Sequence, residues 1–447
     1  MNISSLVGHI VELAALIDKN SRPTDRVVGE FLRTRKYLGS RDRRFIAQAI
    51  YGLVRFRKRM EALIDQFVKE SPSASDIFSR SQHSLLHYIA YAIAIEKADP
   101  KEISSSLTAR WKSSYPDIEI TLFAEWLARN SSLEFLSGDD IQELAAWYSF
   151  QEWMVSEWVE QFGKDETEEL LNALNTEAPV TLRVNTLRTG VEECQARLRA
   201  EGVETQTSMH SPSALISAKR FNIQACSAFK EGLFELQDEG SQVVCLVAQP
   251  QTGSFVIDVC AGAGGKSLSL ATLMKNTGKI LAFDVEPKRL RELETRARRS
   301  GTTIITTQSE GHIDNLKNKA DLVLLDAPCS GVGTIRRNPW IKWSLTESLV
   351  QHYAEIQSKI LEDYSSCVAP GGKLVYSTCS LFRKENEEVV EGLLSRHQEF
   401  TPSLPTAMLS QLGFAFDRHS RYLKLLPHKH DTDGFFVAVF VKKECPP

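Results

Sequence analysis

The sequence predicts a multidomain chain: an all-α N-terminal domain over 1–150, a small α+β module over 151–250, and an α/β doubly wound domain over 251–447. Three observations carry this expectation. At 447 residues, 42% hydrophobic and 25% charged, the chain is a globular protein too long for one ordinary core. Its first 150 residues repeat apolar positions at helical period, with short polar breaks between. From Gly253 onward, short apolar strands alternate with helix-patterned segments, as in a parallel sheet covered on both faces.

The opening segment, "MNISSLVGHIVELAALIDKN", is helical in pattern but lacks a basic front and a small-residue cleavage site, so no signal peptide is expected. No run of eighteen apolar residues predicts a membrane span. "RRFIAQAIYGLVRF" places Phe45, Ile46, Ala49, Ile50, Leu53 and Val54 on one helical stripe. Leu32 to Arg59 holds ten Lys or Arg and one acid, Asp42, whereas Glu134 to Glu169 holds eleven acids and one base, Lys164. A net charge of −4 therefore hides a local basic face. Arg41, Arg43, Arg44 and Arg55 read either as a solvated helix face or as a phosphate-binding surface.

In the middle region "PVTLRVNTLR" alternates like a strand, and "VEECQARLRAEG" reads as a helix closed by Gly202. The α/β region begins with a strand, Phe255 to Val259, a Gly-rich loop, Cys260 to Gly265, and a helix. Gly262, Gly264 and Gly265 let backbone approach a ligand closely, and the helix start favours negative charge. Dehydrogenases and many nucleotide binders share this pattern; the GxxxxGK[ST] spacing of a P-loop is missing. Asp284 ends the next strand, where an acid commonly grips a ribose diol. A helix follows from Pro287 to a stop at Gly301, then a third strand running to Glu310, which reads as an adenine contact or as a loop cap.

The fourth strand leads into "DAPCSGVGTIRRNP", where Asp326 meets the cleft and Pro328 forces a turn before Cys329. "SLTESLVQHYAEIQSKILEDY" is expected to be a helix with a capping box of Ser344 and Glu347. The fifth strand ends at Cys379, so neighbouring strands bring two thiols to one crevice.

Eight scattered cysteines without a CxxC pair predict no metal site, no redox motif and a reduced, cytoplasmic setting. Cys194, Cys226, Cys245 and Cys367 read as small apolar packing residues. Cys329 and Cys379, in polar turns at strand ends, read as positions for attack on an electrophilic carbon.

"DVCAGAGGK", "DAPCSGVGTIRRNP", "YSTCSLFRKENEEVV" and "DGFF" together resemble the RsmB/Sun-type RNA cytosine-5 methyltransferases. "RVN" at Arg183 to Asn185 and "QDEGSQ" at Gln237 to Gln242 are similar to that family's module ahead of its Rossmann-like catalytic domain. The N-terminal helices resemble the NusB-like RNA-binding domain of the 16S rRNA branch. The chain departs from the family at Gly262 and Ala263, where CAAPGGK is usual, and at Glu310, where Asp is usual.

The resemblance implies S-adenosylmethionine held by Cys260, Ala261, Gly262, Ala263, Gly264, Gly265, Lys266, Asp284, Glu310 and Asp326. It implies Cys379 as the thiol that adds to cytosine carbon 6, Asp326 on ring nitrogen 3, and Cys329 in the release step. RNA, most simply 16S rRNA, is then held by Arg41, Arg43, Arg44, Arg55, Arg183, Asn185, Arg336 and Arg337, and the protein is expected to be a monomer. Its target base must leave the stack to reach the cleft. The rivals are a DNA cytosine-5 methyltransferase using Cys329, an RNA-binding assembly factor without turnover, and, from the Gly loop alone, a nicotinamide oxidoreductase.

Overall fold

The computed structural model describes residues 3–19, 24–71, 83–111, 117–130, 140–309, 313–415 and 420–444. Glu310 and Cys445 lie outside the described residues. Two compact units emerge: Met1–Thr176 with Ile335–Leu345, and Glu177–Thr334 with Thr346–Pro447.

The first unit is built from helices around one apolar core that includes Ile10, Phe31, Ile46, Ile50, Leu63, Ile89 and Phe123. Helix Ser40–Arg55 shows why the stripe matters: Ile46, Ala49, Ile50, Leu53 and Val54 are buried, while Phe45 faces outward. The unit extends past the break expected near residue 150, because helices Glu152–Phe162 and Lys164–Leu174 pack with it.

Segment 335–345 also belongs here, although in sequence it interrupts the α/β region. Lys342 is fully buried and its Nζ donates to the carbonyls of Arg55 and Ser149 (3.0 Å each) and to Asn175 Oδ1 (2.6 Å). Its ammonium also sits 3.6 Å from the centre of the Phe150 ring. Burial and then the Arg55 charge lower its pKa, but three acceptors for three protons work the other way. Trp343 Nε1 donates to the Val54 carbonyl, and Gln151 donates to the carbonyls of Lys342 and Leu345.

The second unit contains two sheets. A four-stranded antiparallel sheet, order β2-β3-β1-β4, comprises β1 (Val180–Val184), β2 (Thr205–Thr207), β3 (Ala214–Ser217) and β4 (Phe234–Leu236). Helix Val191–Ala200 packs on it through Cys194 and Leu198, and Gly202 at φ +79° closes its end.

The larger sheet has five parallel strands in the order β7-β6-β5-β8-β9: Ile305–Gln308, Lys279–Phe283, Phe255–Val259, Ala320–Asp326 and Val368–Thr378. Antiparallel β12 (Phe435–Lys442) pairs with β9 and carries β10 (Phe400–Pro402) and β11 (Leu423–Leu425). Alternate residues feed opposite faces. Ile257, Val323, Leu325 and Tyr376 enter one core, and Val256, Leu322, Leu324 and Val375 the other.

The order reverses between β5 and β8, and ligands of such sheets bind outside the carboxyl ends at that point. Pro287 opens helix Pro287–Ser300 and Gly301, at φ +77°, ends it as expected. The cap of the later helix is corrected. Thr346, not Ser344, accepts from Leu349 N, and Ser344 ends a separate turn, Ile341–Ser344.

Candidate active site

Parallel pairing of β8 with β9 sets Asp326 beside Ser377, so the turns that follow leave the sheet at one end. Cys329 and Cys379 emerge there with their sulfurs 3.3 Å apart. A disulfide is about 2.05 Å long, so the two are separate thiols, each half-buried. Gly333 N donates to the Cys379 carbonyl at 2.9 Å and ties one turn to the other. A Cβ on Gly333 would fall 2.1 Å from the Gly434 carbonyl oxygen, so only glycine fits this contact with the "DGFF" segment.

Two thiols this close share one proton readily but resist losing both. The Cys329 thiol is pushed well above its ordinary pKa by its hydrogen bond to Cys379, by burial, and by the nearby Cys379 and Glu385 charges. Lys266 stands on the other side: its Nζ pairs with Asp326 at 2.7 Å and is also drawn upward in pKa by Cys379. Burial alone lowers the Lys266 pKa, yet Asp326 outweighs it and the net shift is upward. Ser377 Oγ donates to the other Asp326 oxygen at 3.1 Å, which fixes the carboxylate at the strand end.

The Gly-rich loop lies at the end of β5. Cys260 takes φ +62°, a left-handed conformation that costs a side-chain-bearing residue energy. Gly264, at φ +83°, could carry no Cβ, because one would fall 2.0 Å from Leu293 Cδ1. Gly262, at φ +57°, faces open space out to Arg289 Nη1 at 4.0 Å. Its N–H donates to Asp284 Oδ2 at 2.8 Å, and Glu286 N donates to Oδ1 at the same distance. Each Asp284 oxygen retains a second lone pair for a hydroxyl.

Asp258, fully buried in β5, was not singled out in the sequence. Its pKa is raised to about 7, by burial first and by the Asp326 and Asp284 charges, against the Ser267 hydroxyl and the Lys266 charge. Cys260 feels the same acids after burial, which together push its thiol to about 12. Asp284 and Asp326 against one lysine suit a cationic, hydroxylated ligand and make a poor site for a polyphosphate. S-adenosylmethionine, with its sulfonium and ribose diol, fits that donor set.

The structure thus brings Cys260 through Lys266, Asp284, Asp326, Cys329 and Cys379 to one end of the sheet. It places the expected RNA residues less uniformly. Arg183 is buried; its guanidinium donates to the Gly265 carbonyl (2.7 Å) and to Gln237 Oε1, while burial first lowers its pKa to about 10. Asn185 is buried too, donating to the Gly232 and Ser300 carbonyls at 2.9 Å. These two residues fasten the four-stranded module to the Gly loop and to helix Pro287–Ser300, a correction to the RNA contact expected of them.

Arg55 and Arg336 are corrected in the same way. Both are buried in the helical unit, where Arg55 donates to the Arg336 carbonyl at 2.9 Å. Arg337 is exposed in that unit, and Arg41 and Arg44 are exposed on helix Ser40–Arg55. Arg43 is half-buried and donates to the Leu38 and Arg35 carbonyls.

Residues 245–441 match the model of the 16S rRNA methyltransferase RsmB/F family, and residues 150–224 match its ferredoxin-like domain. The probable ribosomal RNA small subunit methyltransferase B of Bacillus subtilis is 34% identical over 68% of this chain and 69% of its own. Its Synechocystis counterpart is 32% identical over 89% of this chain and 90% of its own. The human 28S rRNA (cytosine(4447)-C(5))-methyltransferase is 32% identical over 67% of this chain and 39% of its own. Among solved structures, that of PH0851 superposes with a TM-score of 0.75 at 29% identity, covering 99% of both chains. With both domains matched and relatives of more than 30% identity covered over two thirds or more of their length, this chain belongs to the RsmB/F family of 16S rRNA methyltransferases.

Proposed function

We propose that this protein transfers a methyl group from S-adenosylmethionine to carbon 5 of a cytosine in small-subunit rRNA, with Cys379 as the nucleophile. The observation that carries the reading is the 3.3 Å thiol pair beside a lysine–carboxylate couple at the sheet's carboxyl end. Carbon 5 of cytosine is a weak nucleophile. Addition of Cys379 Sγ to carbon 6 moves electron density to carbon 5 and into the ring, and the thiol's proton ends on ring nitrogen 3. Asp326, held by Ser377 and Lys266, would accept the hydrogen bond of that N3–H. The bound cofactor supplies an electrophilic methyl group. Once carbon 5 is methylated, its proton passes to a base, solvent water in the simplest case. The C5–H electron pair restores the 5,6 double bond, and Cys379 leaves carbon 6 as a thiolate, which the Cys329 S–H assists by donating to it.

The cofactor would lie against Cys260 to Lys266, with Asp284 on the ribose hydroxyls. The helical unit, with Arg41 and Arg44 outward, acts as a NusB-like surface for the RNA backbone. A DNA-type reaction through Cys329 is disfavoured by the likeness to rRNA methyltransferases.

Bisulfite sequencing of rRNA from cells with and without the protein would identify the target, and the purified Cys379→Ala variant tests the nucleophile. It should bind S-adenosylmethionine normally and transfer no methyl group to rRNA. Turnover retained in Cys379→Ala and lost in Cys329→Ala would reverse the assignment.

A further inference from the structure

No covalent link joins the two thiol-bearing turns, yet their sulfurs stand 3.3 Å apart. We infer that Glu385 is a positioning residue that clamps the Cys329 turn to the Cys379 turn and so sets the spacing of the thiol pair. The inference rests on reading Cys379 as the nucleophile and Cys329 as its partner in release.

Glu385 is fully buried, and four hydrogen-bond donors converge on its carboxylate. Oε1 accepts from Ser330 N at 2.7 Å and from Gln357 Nε2 at 3.0 Å. Oε2 accepts from the hydroxyls of Ser330 and Ser380. Ser330 directly follows Cys329, and Ser380 directly follows Cys379, so one carboxylate grips the residue after each thiol. Gln357 completes the hold on the first turn by donating to the Pro328 carbonyl at 2.8 Å, on the other side of Cys329.

The neighbouring Asn386 holds the second turn. Its Nδ2 donates to the Ser380 carbonyl at 3.0 Å, and its Oδ1 accepts from Thr378 Oγ1 at 2.6 Å. The Glu385 backbone is itself anchored, since the buried Tyr376 hydroxyl donates to its carbonyl at 2.6 Å. A packing role alone would be served by an apolar side chain at smaller desolvation cost. A carboxylate here also adds a negative charge beside Cys329, which favours the protonated thiol. The other ionisable groups facing the pair are Tyr353 and Tyr376 near Cys329 and Lys266 near Cys379.

The test uses the full-length chain as wild type, Glu385→Gln, Glu385→Asp and a Ser330→Ala/Ser380→Ala double variant. Spacing is read directly by diamide, which takes two electrons and two protons from the thiols as the S–S bond forms, and is reduced to the hydrazine. Glu385→Gln should form the Cys329–Cys379 bond far more slowly and lose about a hundredfold in kcat, the scale of a small misplacement of reacting groups. Its KM for S-adenosylmethionine should hold, and alkylation of Cys329 by iodoacetamide should begin at lower pH. Glu385→Asp should recover part of both rates.

If Glu385→Gln fails to fold, as loss of cofactor binding would reveal, the double serine variant decides. It keeps the carboxylate but removes one donor from each turn, so slower thiol oxidation with cofactor binding intact is expected. Wild-type oxidation rates and kcat in whichever variant folds would overturn the clamp. Thiol spacing is read without methyl transfer, so this outcome stays separate from failure of the Cys379 assignment.

Discussion

At the scale of single residues, chemistry at strand ends was the most legible part of the sequence, because a polar residue that stops an apolar strand has few places to go. Asp284, Asp326, Cys329 and Cys379 all fall at the carboxyl end of the parallel sheet. Arg183 and Asn185 were misread for a physical reason. An arginine in a strand reads as outward-facing, and only the folded chain reveals carbonyls turned toward it. Asp258 and Glu385 were missed because a buried carboxylate leaves no pattern of its own, although "KENEE" beside the thiol motif was a usable signal. The ribose assignment is testable here. Asp284→Ala should weaken S-adenosylmethionine binding by about 1–3 kcal/mol, the cost of unpairing a charged hydrogen bond, and leave RNA affinity intact. Calorimetry showing equal cofactor affinity would remove Asp284 from the site.

Among elements, helices and strands with strong period were foreseen close to their observed bounds: Ser40–Arg55, Phe255–Val259 and Pro287–Ser300 are examples. Segment 335–345 was not. Its sequence, "IRRNPWIKWSL", continues a catalytic motif, and nothing in its local pattern says that Lys342 will be buried among helices far away in the chain. Long-range capture of one lysine by three oxygens decided its place. Lys342→Met should therefore leave the Arg55 and Ser149 carbonyls and Asn175 Oδ1 unpaired and cost about 1–3 kcal/mol. Hydrogen exchange should show faster opening around 54–55, 149–151 and 335–345. Unchanged protection there would mean that the segment is held by its tryptophans instead.

For the whole molecule, order of regions was legible and their limits were less so. Helical packing carries the first unit on to Thr176, whereas the matched ferredoxin-like domain begins at 150. Charge told only half the story: of four arginines expected on RNA in helix Ser40–Arg55, Arg41 and Arg44 are exposed, while Arg43 and Arg55 bond to carbonyls. Arg41→Gln with Arg44→Gln should weaken RNA binding across sequences and reduce its salt slope by about 1–2, at roughly 0.7 per phosphate contact on single strands. An unchanged slope would make them a solvated face. The central claim is that two thiols divide one reaction, Cys379 making the adduct and Cys329 helping to undo it. It is tested most directly by incubating Cys329→Ala with rRNA and S-adenosylmethionine and running a denaturing gel. A slow-migrating protein–RNA species should accumulate, and adding Cys379→Ala should abolish it. Normal turnover of Cys329→Ala with no such species would contradict the account.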